Sequence, residues 1–224
     1  MVEPVAVLWD MDGTLVDTEP YWIEVERALV HQHGGTWTAE DALAMVGSAL
    51  LDSGRYLRDH GGVDLPPEQI VEALLDGVVA QVQESVPWRP GALDLLASLR
   101  ERGVPCALVT MSYERFVAPV LAALPHGSFD VVVTGDAVDR GKPHPDPYLH
   151  AARLLGVDPG HCMAIEDSET GARSAEAAGC LVLVVENHVS VEPGEQRVFR
   201  DSLDGLTVAD LSALGTHTPN IMEP

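Results

Sequence analysis

Short apolar runs recur along this chain at Val5 to Trp9, Cys106 to Val109, Phe129 to Val133, Cys162 to Ile165 and Leu181 to Val185, and their spacing constrains the fold more than any other feature. The first is unbroken rather than alternating, as in a strand buried on both faces of a parallel sheet. Apart from the first interval, enough residues separate each run from the next for one crossover helix, which predicts a doubly wound α/β parallel sheet. The interval from Trp9 to Cys106 is far longer than a crossover needs, so something is inserted there. Within it, Asp17-Thr18-Glu19-Pro20 reads as the start of a helix running to His33, and Ile70, Leu74, Val78 and Val82 recur every four residues. The expectation is a helical cap over residues 18–87, set into a catalytic core of residues 1–17 and 88–224. The core resumes after the stiff Pro87-Trp88-Arg89-Pro90 segment with a helix through Leu95, Leu96 and Leu99.

Composition narrows the function. A chain of 224 residues that is 46% hydrophobic can bury a sizeable core. Its formal net charge of −22 opposes binding to nucleic acid or to anionic lipid, both of which need clustered cationic side chains. No apolar run reaches the roughly 18 to 20 residues of a membrane span, and Met-Val-Glu-Pro lacks the basic start of a secretory signal. The reading is therefore a cytoplasmic protein, a monomer, with a small molecule as its partner. Cys106, Cys162 and Cys180 form no CxxC pair and read as core thiols. The nine histidines show neither zinc spacing nor a carboxylate partner in sequence and read as surface or packing residues.

In open α/β sheets the chemistry lies beyond the carboxyl ends of the strands. There the chain places Asp10-Met11-Asp12-Gly13-Thr14, then Thr110-Met111-Ser112, then Gly141-Lys142-Pro143, then Glu166-Asp167-Ser168. Several carboxylates forced together repel one another, and a divalent cation with oxygen ligands, most plausibly Mg²⁺, relieves that repulsion. Asp10 and Asp12, two positions apart at a strand end, point the same way and can act on one substrate atom. An EF-hand is excluded because glycine here is fourth in the loop, not sixth, and a strand precedes it. Taken singly, each group also fits a solvated turn or a helix cap. Lys142, however, is the one lysine beside twelve arginines, and it falls among these acids.

The stretch Asp10-Met11-Asp12-Gly13-Thr14-Leu15-Val16-Asp17-Thr18, followed in order by Thr110, Lys142 and Glu166-Asp167, resembles the haloacid dehalogenase superfamily over residues 5 to about 214. The resemblance implies phosphoryl transfer through an aspartyl-phosphate, with Asp10 as nucleophile and Asp12 as acid and then base. It implies that Thr110 bonds the phosphoryl oxygens and that Lys142 neutralises them. Mg²⁺ would be held by Asp10, Asp167, Glu166 and the backbone carbonyl of Asp12. Asp12 and the absence of a cap lysine argue against dehalogenase and phosphonatase chemistry.

What remains is a phosphatase of small metabolites, with a sugar or polyol phosphate as the default substrate, or a mutase of the β-phosphoglucomutase kind. The mutase pattern has a histidine where Trp22 stands and an arginine near Ala49-Leu50, so both departures favour hydrolysis. Glu19, Trp22, Gly47, Ser48 and Arg55 in the cap, with Met111 and Ser112 in the core, are the candidate substrate contacts. A phospho-accepting receiver module is the distant alternative, disfavoured by the order of the acidic residues and by the insertion.

Overall fold

A computed structural model describes residues 4–45 and 50–215. β1 (Ala6–Trp9) has no exposed side chain, which follows from its position in the middle of the sheet. It pairs in parallel with β2 (Cys106–Val109) on one side and β4 (Cys162–Glu166) on the other. β3 (Val131–Val133) extends the sheet beyond β2, and β5 (Leu181–Val184) and β6 (Arg197–Phe199) extend it beyond β4. The order is β3-β2-β1-β4-β5-β6, all parallel. Connections therefore run in opposite directions on either side of β1, which makes its carboxyl end the switch point where such sheets open a crevice.

Small residues set how closely the helices approach. Ala151 of α7 (Asp146–Leu155) and Ala172, Ala175 and Ala178 of α8 (Glu169–Ala178) pack with Leu8, Ala107, Val109 and Ala164 on one face of the sheet. Ser168 caps α8 by accepting the Gly171 amide at 3.1 Å. The core also contains α5 (Ala92–Glu101), α6 (Glu114–Ala122) and α9 (Val208–Leu214).

The chain separates into two compact units, Met1–Asp17 with Trp88–Pro224, and Thr18–Pro87. The second consists of α1 (Glu19–Gln32), α2 (Ala39–Met45), α3 (Leu50–Asp59) and α4 (Pro67–Glu84), packed around Val30, Trp37, Leu57, Ile70 and Leu74. A β-carbon on Gly77 of α4 would lie 2.5 Å from Val25 of α1, so only glycine allows these two helices their spacing.

Two features depart from expectation. β6 is a sixth strand: it is three residues long, half-buried and led by Arg197, so it carries no apolar run. Arg197 is nonetheless almost wholly buried, paired with Glu169 at 2.6 Å and Glu176 at 2.7 Å on α8. The histidine reading also needs correction. His188 Nε2 lies 2.9 Å from Asp17, and His144 Nδ1 lies 3.0 Å from Asp146. The first pair is far apart in sequence, and the second falls where the loop before α7 turns back on the helix.

Where the first unit is interrupted, its two strands of chain run side by side. Val16 bridges Trp88 in antiparallel fashion, and the Arg89 amide donates to the Leu15 carbonyl at 3.0 Å. The loop after β5 holds this ribbon, since the Asn187 carbonyl oxygen accepts from Arg89 at 2.7 Å while its amide donates to Asp17 at 3.3 Å.

Candidate active site

β1, β2 and β4 end side by side, and each delivers a polar group on its last residue or the next. Asp10 follows β1, Thr110 follows β2, and Glu166 ends β4 with Asp167 after it. Lys142 reaches the same point from the loop before α7. Its Nζ donates to Asp10 Oδ1 at 2.6 Å, to Glu166 Oε1 at 2.6 Å and to the Val109 carbonyl at 2.9 Å. An ammonium has three protons, and all three are used. The lone lysine is thus a buried cation between two buried anions. Burial pulls its pKa down, but attraction to Asp10 and Glu166 outweighs this and raises it, so Lys142 stays charged.

The carboxylates are pushed the other way. Burial lifts Asp10 well above the usual carboxylate range; Lys142 opposes the rise, while Glu166 and Asp167 add to it. Asp167 is pushed up to about 7, first by burial and then by Glu166. Oxygens of Asp10, Glu166 and Asp167 all lie within 4.8 Å of one another. Three carboxylates against one ammonium leave an excess of negative charge in a dry site. The hard oxygen donors and that unrelieved repulsion fit a divalent cation such as Mg²⁺. Glycines make the crowding possible. Gly13 takes the left-handed conformation at φ +89°, and a β-carbon there would lie 1.9 Å from Asp167 Oδ2. A β-carbon on Gly171 would lie 2.0 Å from Glu166 Oε2, at the first turn of α8.

Asp12 is half-buried and held from the β2 side. Ser112 Oγ donates to its Oδ2 at 2.6 Å, and Thr110 Oγ1 is 3.5 Å from the same oxygen. Met111 packs beneath the Lys142 loop, where its Sδ lies 3.1 Å from the Lys142 amide nitrogen.

The core thus brings together Asp10, Asp12, Thr110, Met111, Ser112, Lys142, Glu166 and Asp167. The remaining candidates lie in the helical unit. Glu19 starts α1, Trp22 packs against that unit's core, and exposed Arg55 pairs with Asp52 at 2.7 Å. Gly47 and Ser48 fall outside the described residues. Sequence reasoning missed Tyr148. This wholly buried residue donates its hydroxyl to Glu166 Oε1 and places its ring 5.1 Å from Lys142 Nζ. Its place on the inward face of α7, in step with Ala151 and Ala152, was the available signal.

A buried acidic cluster with one bridging lysine, at the switch point of a doubly wound sheet, defines a hydrolase of the haloacid dehalogenase type. Residues 5–179 match the family model described as haloacid dehalogenase-like hydrolase, and the chain belongs to that family. Hexitol phosphatase A of Escherichia coli (strain K12) is 38% identical over 186 residues, covering 80% of this chain and 81% of that protein. A phosphoglycolate phosphatase of Shigella boydii serotype 4 is 34% identical over 197 residues, covering 78% of each. Among solved structures, CbbY from Rhodobacter sphaeroides in complex with phosphate is 30% identical with a TM-score of 0.80, covering 95% of this chain and all of that one.

Proposed function

We infer that this phosphoric monoester hydrolase releases phosphate from a hexitol phosphate or a similar sugar or polyol phosphate, with Mg²⁺ and through an aspartyl-phosphate on Asp10. The observation that carries the reading is the placement of Lys142 Nζ, 2.6 Å from both Asp10 and Glu166 and buried with them. A carboxylate is a weak nucleophile towards a phosphate dianion because like charges repel. A fixed ammonium beside it opposes the protonation that burial favours and screens the incoming charge.

In the first half-reaction an Asp10 oxygen bonds to phosphorus as the ester P–O bond breaks, and Asp12 gives its proton to the departing oxygen. In the second, Asp12 takes a proton from water as the water oxygen bonds to phosphorus and the Asp10–phosphorus bond breaks. Enzyme and proton count are restored. The Thr110 hydroxyl bonds the phosphoryl oxygens, and the charge of Lys142 neutralises them through space. Asp10 and Asp167, with Glu166 and the Asp12 carbonyl, would hold the metal, which supplies further positive charge to the phosphoryl group. Glu19, Trp22, Gly47, Ser48 and Arg55 of the helical unit select the rest of the substrate. The identity to hexitol phosphatase A, the highest of those cited above, supports a polyol over a carboxylate-bearing substrate.

The test is phosphate release from a panel containing sorbitol 6-phosphate, mannitol 1-phosphate, 2-phosphoglycolate and β-glucose 1-phosphate, with MgCl₂ and with EDTA. The hexitol phosphates are expected to give the highest kcat/KM, EDTA to stop turnover, and Asp10→Asn to abolish it with the fold intact. Near wild-type turnover by Asp10→Asn would sink the mechanism. Faster appearance of glucose 6-phosphate than of free phosphate from β-glucose 1-phosphate would replace hydrolysis by mutase chemistry.

A further inference from the structure

Ser112, three residues past β2, stands among the candidate substrate contacts, yet its hydroxyl is committed elsewhere. A serine has one O–H to donate, and here it goes to Asp12 Oδ2 at 2.6 Å. While that bond stands, Ser112 cannot donate to a phosphoryl oxygen. Its backbone is pinned on both sides. The Ser112 amide donates to Thr110 Oγ1 at 3.0 Å, and its carbonyl accepts the Gly135 amide at 3.0 Å. A β-carbon on Gly135 would lie 2.2 Å from the Met111 carbonyl oxygen, so glycine there is what brings the short turn after β3 against the Thr110–Ser112 segment. The hydroxyl that reaches Asp12 therefore stands on a rigid base, and Thr110 Oγ1 flanks the same carboxylate oxygen at 3.5 Å.

We propose that Ser112 is a positioning residue for Asp12. By tethering Oδ2 it fixes the plane of the carboxyl group, which then faces the ester oxygen in the first half-reaction and the attacking water in the second. This rests on the assignment of Asp12 as acid and then base. Ser112 only lends its hydroxyl hydrogen to the carboxylate, so no proton is gained or lost at Ser112 in either half-reaction. An unaimed carboxyl group forfeits the advantage of fixed geometry, and the chemical step slows while substrate binding is spared.

Ser112→Ala, Ser112→Thr and Asp12→Asn are to be compared with wild type on phenyl phosphate and 4-nitrophenyl phosphate with MgCl₂, by rapid-quench and steady-state kinetics. Phenolate needs a proton as it leaves, and 4-nitrophenolate does not. With Ser112→Ala, the phosphorylation rate is expected to fall about 10- to 100-fold on phenyl phosphate and less than about threefold on 4-nitrophenyl phosphate. KM should stay within about threefold, and Ser112→Thr should recover most of the loss because it keeps the hydroxyl. A raised KM with unchanged kcat would place Ser112 on the substrate and overturn the proposal. So would an equal loss on both esters, or no loss on either. If Asp12→Asn itself turned over phenyl phosphate normally, the underlying acid–base assignment would fall. An inactive Asp12→Asn beside an unaffected Ser112→Ala would remove only the role given to Ser112.

Discussion

Lys142 shows how closely a single side chain can be specified. Three acceptors converge on one nitrogen, two at 2.6 Å and one at 2.9 Å, an arrangement that suits a compact ammonium and not a planar guanidinium whose donors diverge. Lys142→Arg is therefore expected to lose about 2 to 4 kcal/mol of transition-state stabilisation, roughly 30- to 1,000-fold in kcat/KM. Because the chain has no other lysine, reductive methylation read by mass spectrometry reports on this site directly. Methylation of Lys142 should be far slower in the native protein than in urea, and equal rates would contradict its burial. Asp10, Asp12, Thr110, Lys142, Glu166 and Asp167 were legible in sequence because they fall at strand ends or in the loop before α7 and stand out as an ordered set, though not singly. Tyr148 and Gly171 were not, for their parts depend on proximity. One supplies a hydroxyl to Glu166, and the other withholds a β-carbon from it.

Within α1 the inward face of Leu29 and Val30 also carries Glu26, which is buried and whose Oε2 has no hydrogen-bond partner among the described residues. Burial, reinforced by Glu19, pushes this carboxyl up to about 7 from an ordinary 4.5. The folded chain thus holds the proton more tightly than the unfolded one. The stabilisation is complete below about pH 4.5 and is lost as pH rises through 7. Glu26→Gln should remove this dependence. Between pH 5 and 7.5 the wild type is expected to lose on the order of 2 kcal/mol more than the variant, measured as unfolding free energy in urea. Equal losses would show that α1 accommodates the charge. Apolar periodicity made the helices easy to anticipate, and it could not disclose a charged residue turned inward. β6 escaped for the complementary reason. Its leading residue is an arginine whose partners, Glu169 and Glu176, lie on α8 and not on a neighbouring strand.

At the level of the whole molecule, the parallel sheet and its switch point were inferable from the spacing of apolar runs alone, because two-sided burial leaves so plain a signature. The acidic cluster at that point should make stability depend on the metal. A cation that binds only the folded state raises its stability by mass action. Millimolar MgCl₂ is expected to raise the melting temperature by several degrees, and Asp167→Asn to abolish most of the rise. An unchanged melting temperature in the wild type would argue that the carboxylates of Asp10, Glu166 and Asp167 are neutralised by protons instead.

The paired ribbon at Val16 and Trp88 bears on how such a chain can change over generations. The two ends flanking residues 18–87 leave the sheet unit side by side, and Asn187 fastens them through Asp17 and Arg89, so the chain departs from that unit and returns to it at one place. Whatever is spliced between those two points inherits the same pair of attachment sites, and the strand ends bearing Asp10, Thr110 and Glu166 need not be rebuilt to receive it. The segment between those points can then change in length or sequence while the strand ends stay in place.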